Sequence, residues 1–497
     1  MARPTLACLS LALLLLGPAC APDAAAAGSA HTTAPAPAAC NNTSWLNPPT
    51  PPSFLTDVNQ AQGSGDCQFH EFASQNFFSL VLGNSPNFES WPTSDQVYPA
   101  SGPPICSGAP LASSLRHIIN KVPPARLRAS GASIGDILQA SGQPLVDQNG
   151  RYVQFEVREN PTLCQAVTSC QLYTTSCVKA AYSANPAFRF PSGNNQTPGV
   201  TELKLAWRVM ETCNLPDSPP GCKPDNLAEF FWVPNVTVNP YSPKWPKAVT
   251  VTVGLIGFHL IQKTPSHPEF IWATWEHISN DPVCPGSDNS TCQDPSKATG
   301  GVGTASGWSL VNPSIQPQPG CPSLNNAPNS QNPSAQGCLN VSYYNPPQGS
   351  SIDPNQPRSQ VCRLFPCGNG DSLDQSDVAS LNQAIRAKLV GNVWWNYYLV
   401  GTLWASQPPT ADPVPPAGGL NLANTTMETF FQANQGGADN FNCFTCHNFS
   451  PSSQFGNLDF VHSVEFAQQA GSTCTVNFGS CAPTLGATAP VRGATKP

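Results

Sequence analysis

The sequence predicts an α+β fold: a β-rich, antiparallel main domain followed by a small helical C-terminal module. Three observations lead there. Between residues 151 and 278 several short segments alternate apolar and polar side chains, the two-residue period of half-buried strands. Residues 68–82 and 374–404 return to three-to-four spacing, the period of a helix packing one face. Residues 420–497 form a short tail with a helix-start signal and a Cys-x-x-Cys-His run.

The 497 residues suffice for two or three domains and a sizeable core. Asp, Glu, Lys and Arg make up only 10% of them, against the usual quarter. With 55 prolines and 37 glycines, many turns and long loops must be held by something other than surface ion pairs. A net charge of −7 offers no basic footprint, which argues against nucleic acid as a partner.

Residues 1–27 read as a secretory signal, with Arg3 ahead of an apolar run and Ala19-x-Ala21 as a cleavage site. Cys20 stands in an imperfect lipobox-like context, which leaves two alternatives, a lipid anchor or simple cleavage. No later apolar run is long enough for a transmembrane span. Residues 28–60 are an Ala/Pro-rich flexible segment.

Twenty cysteines fit an exported chain. Without Cys8 and Cys20 in the signal region and Cys443 and Cys446 in the C-terminal motif, 20 − 4 = 16 remain, an even number for disulfides. Spacing suggests the local pairs Cys213–Cys222, Cys284–Cys292, Cys321–Cys338, Cys362–Cys367 and Cys474–Cys481. The expected compartment is the periplasm or the outer surface.

Along the chain, residues 68–82 form the first helix, with Phe69, Phe72, Ala73, Leu80 and Val81 near one face and His70 and Glu71 off it. That puts His70 at the surface or in packing. Residues 151–158, 201–210, 229–233, 249–261 and 271–278 are the strands of the main domain, 61–405. A disulfide-rich insertion spans about 282–357, and 406–419 reads as a linker. Thr425-x-x-Glu428 is a capping-box pattern that opens a short helix in the final module, 420–497.

Cys443-Phe-Thr-Cys446-His447 carries the chemistry. Two thiols two residues apart reach the two vinyl groups of one porphyrin, and the next residue brings an imidazole under the iron. A zinc half-site would need a second Cys-x-x-Cys, and the chain has no other. The motif predicts one covalent haem c, with His447 as proximal ligand, in a small cytochrome-c-like module that the main domain partly covers.

Several other stretches carry a resemblance: 254–265 (GLIGFHLIQKTP), 271–277 (IWATWEH), 201–208 (TELKLAWR), 395–402 (WNYYLVGT) and 422–428 (LANTTME). With the haem motif, they resemble a bacterial group labelled "cytochrome c family protein". The resemblance runs from about Gln68 to His447, interrupted by the Cys-rich insertion. It implies an exported, single-haem protein with a large non-cytochrome domain, and it supplies no substrate.

The sixth iron ligand separates the function classes. Met1, Met210 and Met427 are the only methionines, so a methionine downstream of the motif is excluded. Met427 is expected to be ordinary packing. The distal candidates are His259, His277 and His462, each with the alternative of a hydrogen-bonded core or surface histidine. His259 and His277 are expected to project from neighbouring strands toward a common site, with Glu276 as a candidate acid or base. Trp272, Trp275, Trp394 and Trp395 are candidate electron relays, with core packing as the alternative. Three functions follow: electron transfer with an unidentified redox partner, a haem oxidoreductase with an open distal side, or a β-domain binding module with an accessory haem.

Overall fold

The computed structural model describes residues 40–82, 87–107, 137, 139, 144–184, 188–242, 245–282, 308–311, 361–368, 372–406, 415–429, 442–447, 463–471 and 473–481. The signal region, most of the Cys-rich insertion and His462 lie outside them. Seven antiparallel strands make one sheet: β1 Gln154–Glu159, β2 Thr201–Val209, β3 Trp232–Val238, β4 Val249–Gln262, β5 Ile271–His277, β6 Tyr397–Ala405 and β7 Pro416–Gly418. The order is β1-β2-β4-β5-β6-β7, and β3 also pairs with β4. Val253 and Gly254 pair with both β2 and β3, so those two flank opposite edges of β4. β3 therefore continues below β5 along the same edge, and the long β4 is the spine of the sheet.

One face of the sheet is covered by helix α1, Asp66–Val81. Its Phe77 stacks on Trp275 at 4.5 Å and meets Phe258 edge-on at 5.0 Å. α1 is buried nearly all round, because helix Ser372–Lys388 packs beside it. His70 is accordingly inside: Nδ1 lies 3.0 Å from Thr402 Oγ1 and Nε2 2.8 Å from Asp374 Oδ1. The packing reading of His70 holds, and the surface one does not. Trp275 and Trp394 belong to the same aromatic core, with Trp394 edge-on to Phe77 at 5.6 Å.

The opposite face is covered by residues 422–429. A Cβ on Gly257 would run into Thr426, and one on Gly401 would meet Leu422, so both glycines let this segment lie flat on the strands. Where the capped helix is expected to open, residues 425–428 form a turn, in which Asn424 Oδ1 accepts from the Thr426 amide at 2.8 Å; the rest of that expected helix lies outside the described residues. Glu428 folds back to the Asn424 amide at 3.0 Å, so the cap sits one residue earlier than the Thr425 pattern suggested. Met427 is fully buried, as packing.

No seam separates the main domain from the tail among the described residues. The expected linker contains β7, which pairs with β6 through Leu403↔Gly418. Helices Pro161–Ser169 and Thr175–Tyr182 receive the C-terminal segment, with the Thr175 amide donating to Gln469 O at 3.0 Å. Two disulfides fix that contact, Cys170–Cys481 and Cys177–Cys474. The expected local pair Cys474–Cys481 is thus overturned: docking of the tail puts each cysteine beside a helix instead. Cys213–Cys222 is formed as expected, alongside Cys40–Cys67 and Cys106–Cys164. Cys362 and Cys367 are also disulfide-bonded, and the pairs expected at 284–292 and 321–338 lie outside the described residues. Among the described residues no helix is long and apolar enough to cross a membrane.

Two outcomes are expected. Peptide mapping without reduction should recover the 170–481 and 177–474 linked fragments, and a 474–481 fragment would contradict the docking. Gly257→Ala should cost about 1–3 kcal/mol in urea unfolding, the usual penalty for overpacking.

Candidate functional site

Alternate residues of a strand face opposite ways, so β5 divides its candidates between the two faces. Trp272, Thr274 and Glu276 face the 422–429 turn, and Trp275 faces α1. The turn is pinned residue by residue. Asn424 Nδ2 donates to Thr274 Oγ1 at 2.7 Å and to Trp275 O at 3.1 Å. Thr425 gives its amide to Glu276 Oε1, and its hydroxyl lies 2.7 Å from Glu276 Oε2. Glu276 is fully buried, pairs with the Arg363 guanidinium and accepts from Tyr398 Oη at 3.2 Å. The proposed acid or base is therefore a structural anchor with every oxygen engaged.

His259 and His277 do not share a site. His277 is buried, stacked on the Phe230 ring at 4.0 Å and edge-on to Tyr397. Its Nε2 donates to Glu229 O at 2.9 Å, and its Nδ1 accepts from the Ser279 amide at 3.2 Å. A carbonyl only accepts and an amide only donates, which fixes the tautomer. Burial pushes the imidazole down to about 3, Arg208 pushes the same way, and the bond to Glu229 opposes both. Both nitrogens are consumed by the fold, which corrects the expectation of a common site with His259.

His259 is on the turn side. Its Nε2 is 3.1 Å from both Glu428 oxygens, and both side chains keep some exposure, at 11% and 18%. Burial raises Glu428, but the His259 charge and hydrogen bond, Lys204 and the Asn424 amide outweigh it and hold the carboxyl below its ordinary range. An imidazole oriented by a carboxylate on a partly open surface is an arrangement that ligation or proton transfer can use.

The Cys-x-x-Cys-His run forms one helical turn, Cys443–His447. Asn442 builds it: Oδ1 accepts from the Phe444 amide at 3.0 Å, and Nδ2 ties the turn to Leu420 O at 2.9 Å. Cys443 and His447, four apart, share a helical face, and both are partly exposed, while Phe444 is buried. The side chain of Cys446 lies outside the described residues. The His447 ring rests 4.5 Å from the Trp272 ring, tilted by 54°. Trp272 is 4% exposed, and its Nε1 finds no hydrogen-bond partner among the described residues. In the β4–β5 register His259 faces Thr274 and Ile261 faces Trp272, so His259 and Trp272 are diagonal neighbours on one face. The motif and His259 therefore belong to the same side of the sheet.

Of the four candidate tryptophans, Trp272 touches the motif; Trp275 and Trp394 are core, and Arg386 covers Trp395 at 3.9 Å. The sequence reading missed Asn424, Arg363, Asp281 and the bonding role of Glu428. One signal was available: charged residues are few, and a capping glutamate close to the motif was among them. No family model, curated protein or solved structure matches this chain.

The state of His277 has a measurable sign. The folded imidazole stays neutral down to about 3, whereas the unfolded one gains its proton near 6.5, so its contribution is lost as pH falls between them. The stability advantage of the wild-type chain over His277→Gln should therefore shrink on acidification by about 1.4 kcal/mol per pH unit. Parallel urea curves at every pH would contradict a neutral buried histidine.

Proposed function

We propose that this chain is an exported mono-haem c-type cytochrome with a redox role. Cys443 and Cys446 would hold the porphyrin through thioethers, and His447 would be its proximal iron ligand. The observation that carries this reading is the Cys-x-x-Cys-His turn itself, lodged against the sheet with its histidine on Trp272. The surroundings fit such a group. A thiol and an imidazole share one helical face, and the buried Trp272 Nε1 is a donor for which the described residues offer no acceptor. A bound haem would supply one-electron chemistry between ferric and ferrous iron.

The chain's own residues would do the rest. Trp272 packs on the His447 ring and limits its rotation. His259, aimed by Glu428, is the histidine on the same sheet face with a nitrogen, Nδ1, outside that pair. We assign it as the distal group in preference to His277, whose nitrogens are both engaged in the core. The disulfides among the described residues support export. The same His259–Glu428 pair favours one second reading, an oxidoreductase with an open distal side. There the pair, not Glu276 and His277, would move protons beside the iron.

The dithionite-reduced optical spectrum, taken before and after carbon monoxide, tests both. Electron transfer predicts a sharp α-band that carbon monoxide leaves unchanged in the wild-type chain and shifts in His259→Ala. A shift already present in the wild type selects the open-site reading. Cys443→Ser with Cys446→Ser should abolish covalent haem, and a wild-type chain without haem from attachment-competent cells would refute the proposal.

A further inference from the structure

Thr425 Oγ1 lies 2.7 Å from Glu276 Oε2 and 2.7 Å from Asp281 Oδ1. A hydroxyl carries one hydrogen, and an ionised carboxylate only accepts. Thr425 cannot donate to both, so one of the two acids must itself carry a proton and donate to the hydroxyl oxygen. The surroundings decide which. Glu276 already receives the Arg363 guanidinium, the Thr425 amide and the Tyr398 hydroxyl, all of which favour its anion. Asp281 is fully buried beside that anion.

We infer that a single dissociable proton on Asp281 latches the 424–428 turn onto the sheet. The chain of donors runs from the Asp281 carboxylic acid to Thr425 Oγ1, and from the Thr425 hydroxyl to ionised Glu276. The titratable and charged groups that act on the acid are Glu276 from β5 and Arg363 from the segment beside it, and Tyr398 from β6 reaches the same cluster through Glu276. With the proton in place, one guanidinium balances one carboxylate. When it leaves for solvent, two carboxylates face one guanidinium and one hydroxyl hydrogen, and the turn loses a hydrogen bond. Burial first, then the neighbouring Glu276 charge, push the Asp281 carboxyl up to about 7, against Arg363 and the Thr425 bond.

The sign follows from the raised carboxyl. The acid holds its proton in the fold well above the usual aspartate range, so the latch is closed on the acid side of 7 and opens as pH rises through it. Opening reaches further than Thr425. Glu428, on the same turn, is what holds His259, so the proton on Asp281 governs how firmly that imidazole is oriented. None of this requires a bound group, and failure of the haem reading would leave it standing.

The experiment is backbone hydrogen exchange at Thr425 and Glu428 over about two pH units either side of neutrality, corrected for intrinsic rates. In the wild-type chain protection should fall at least about tenfold across the transition, the effect of one pH unit of linkage. Asp281→Asn, which keeps an acceptor oxygen and cannot ionise, should show protection that does not change with pH. A wild-type profile without the fall, or an Asp281→Asn profile that reproduces it, overturns the inference. A second measurement does not depend on that variant folding: the ¹³C shift of the Asp281 carboxyl in the wild-type chain. Titration near neutrality supports the latch, and a carboxyl already ionised well on the acid side of neutrality refutes it.

Discussion

The buried pairing of Glu276 with Arg363 is the constraint on which the functional face depends. Glu276 sits near the end of a central strand, where its charge is cut off from water. Such a charge is tolerable only if donors surround it. They come from three separate stretches: the 361–368 segment supplies the guanidinium, β6 a phenol, and the 424–428 turn an amide and a hydroxyl. Meeting the needs of one carboxylate therefore brings together the strand, the 361–368 segment and the turn.

The same economy recurs elsewhere. Charged residues are scarce, yet many are inside: Arg208 pairs with Asp147 and Asp225, Arg151 with Glu211 and Asp217, and Arg158 with Glu156. The Arg208 and Arg151 pairs join separate stretches of the chain, and Arg158–Glu156 ties neighbours along β1. The low charged fraction reflects a loop-rich protein that uses ion pairs as internal ties and leaves much of its cross-linking to sulfur.

β2, β4 and β5 were legible because their side chains alternate: Leu203, Leu205 and Trp207 are buried in β2, and β4 and β5 begin and end within a few residues of the alternation. β6 was not, since helical spacing was expected through 374–404 and the helix ends at Lys388, with Tyr397–Ala405 a strand buried on both faces. The motif was legible because its chemistry is local. What the sequence hid was non-local. Residues 416–418 contain two prolines' worth of linker character in their surroundings and still form an edge strand, since an edge needs few ladder bonds. His277 looked like a partner for His259 because both lie in similar apolar–aromatic runs; only the folded structure shows that each imidazole is held by different groups, Glu428 for one and Glu229 and Ser279 for the other. Likewise Cys474 and Cys481 are near neighbours in sequence, and the docking of the tail on two distant helices overrides that proximity.

The sequence separations of 311 and 297 residues spanned by those two bridges bear on how the chain matures. A polypeptide crossing a membrane amino end first delivers Cys170 and Cys177 long before Cys481 and Cys474. The early thiols must stay reduced, or pair transiently and reshuffle, until the last segment arrives. Cys443 and Cys446 emerge inside that interval, ahead of both late partners. On the proposed export and haem attachment, the order of emergence would set the thiols of the motif apart in time, presenting them before the two closing cross-links can form.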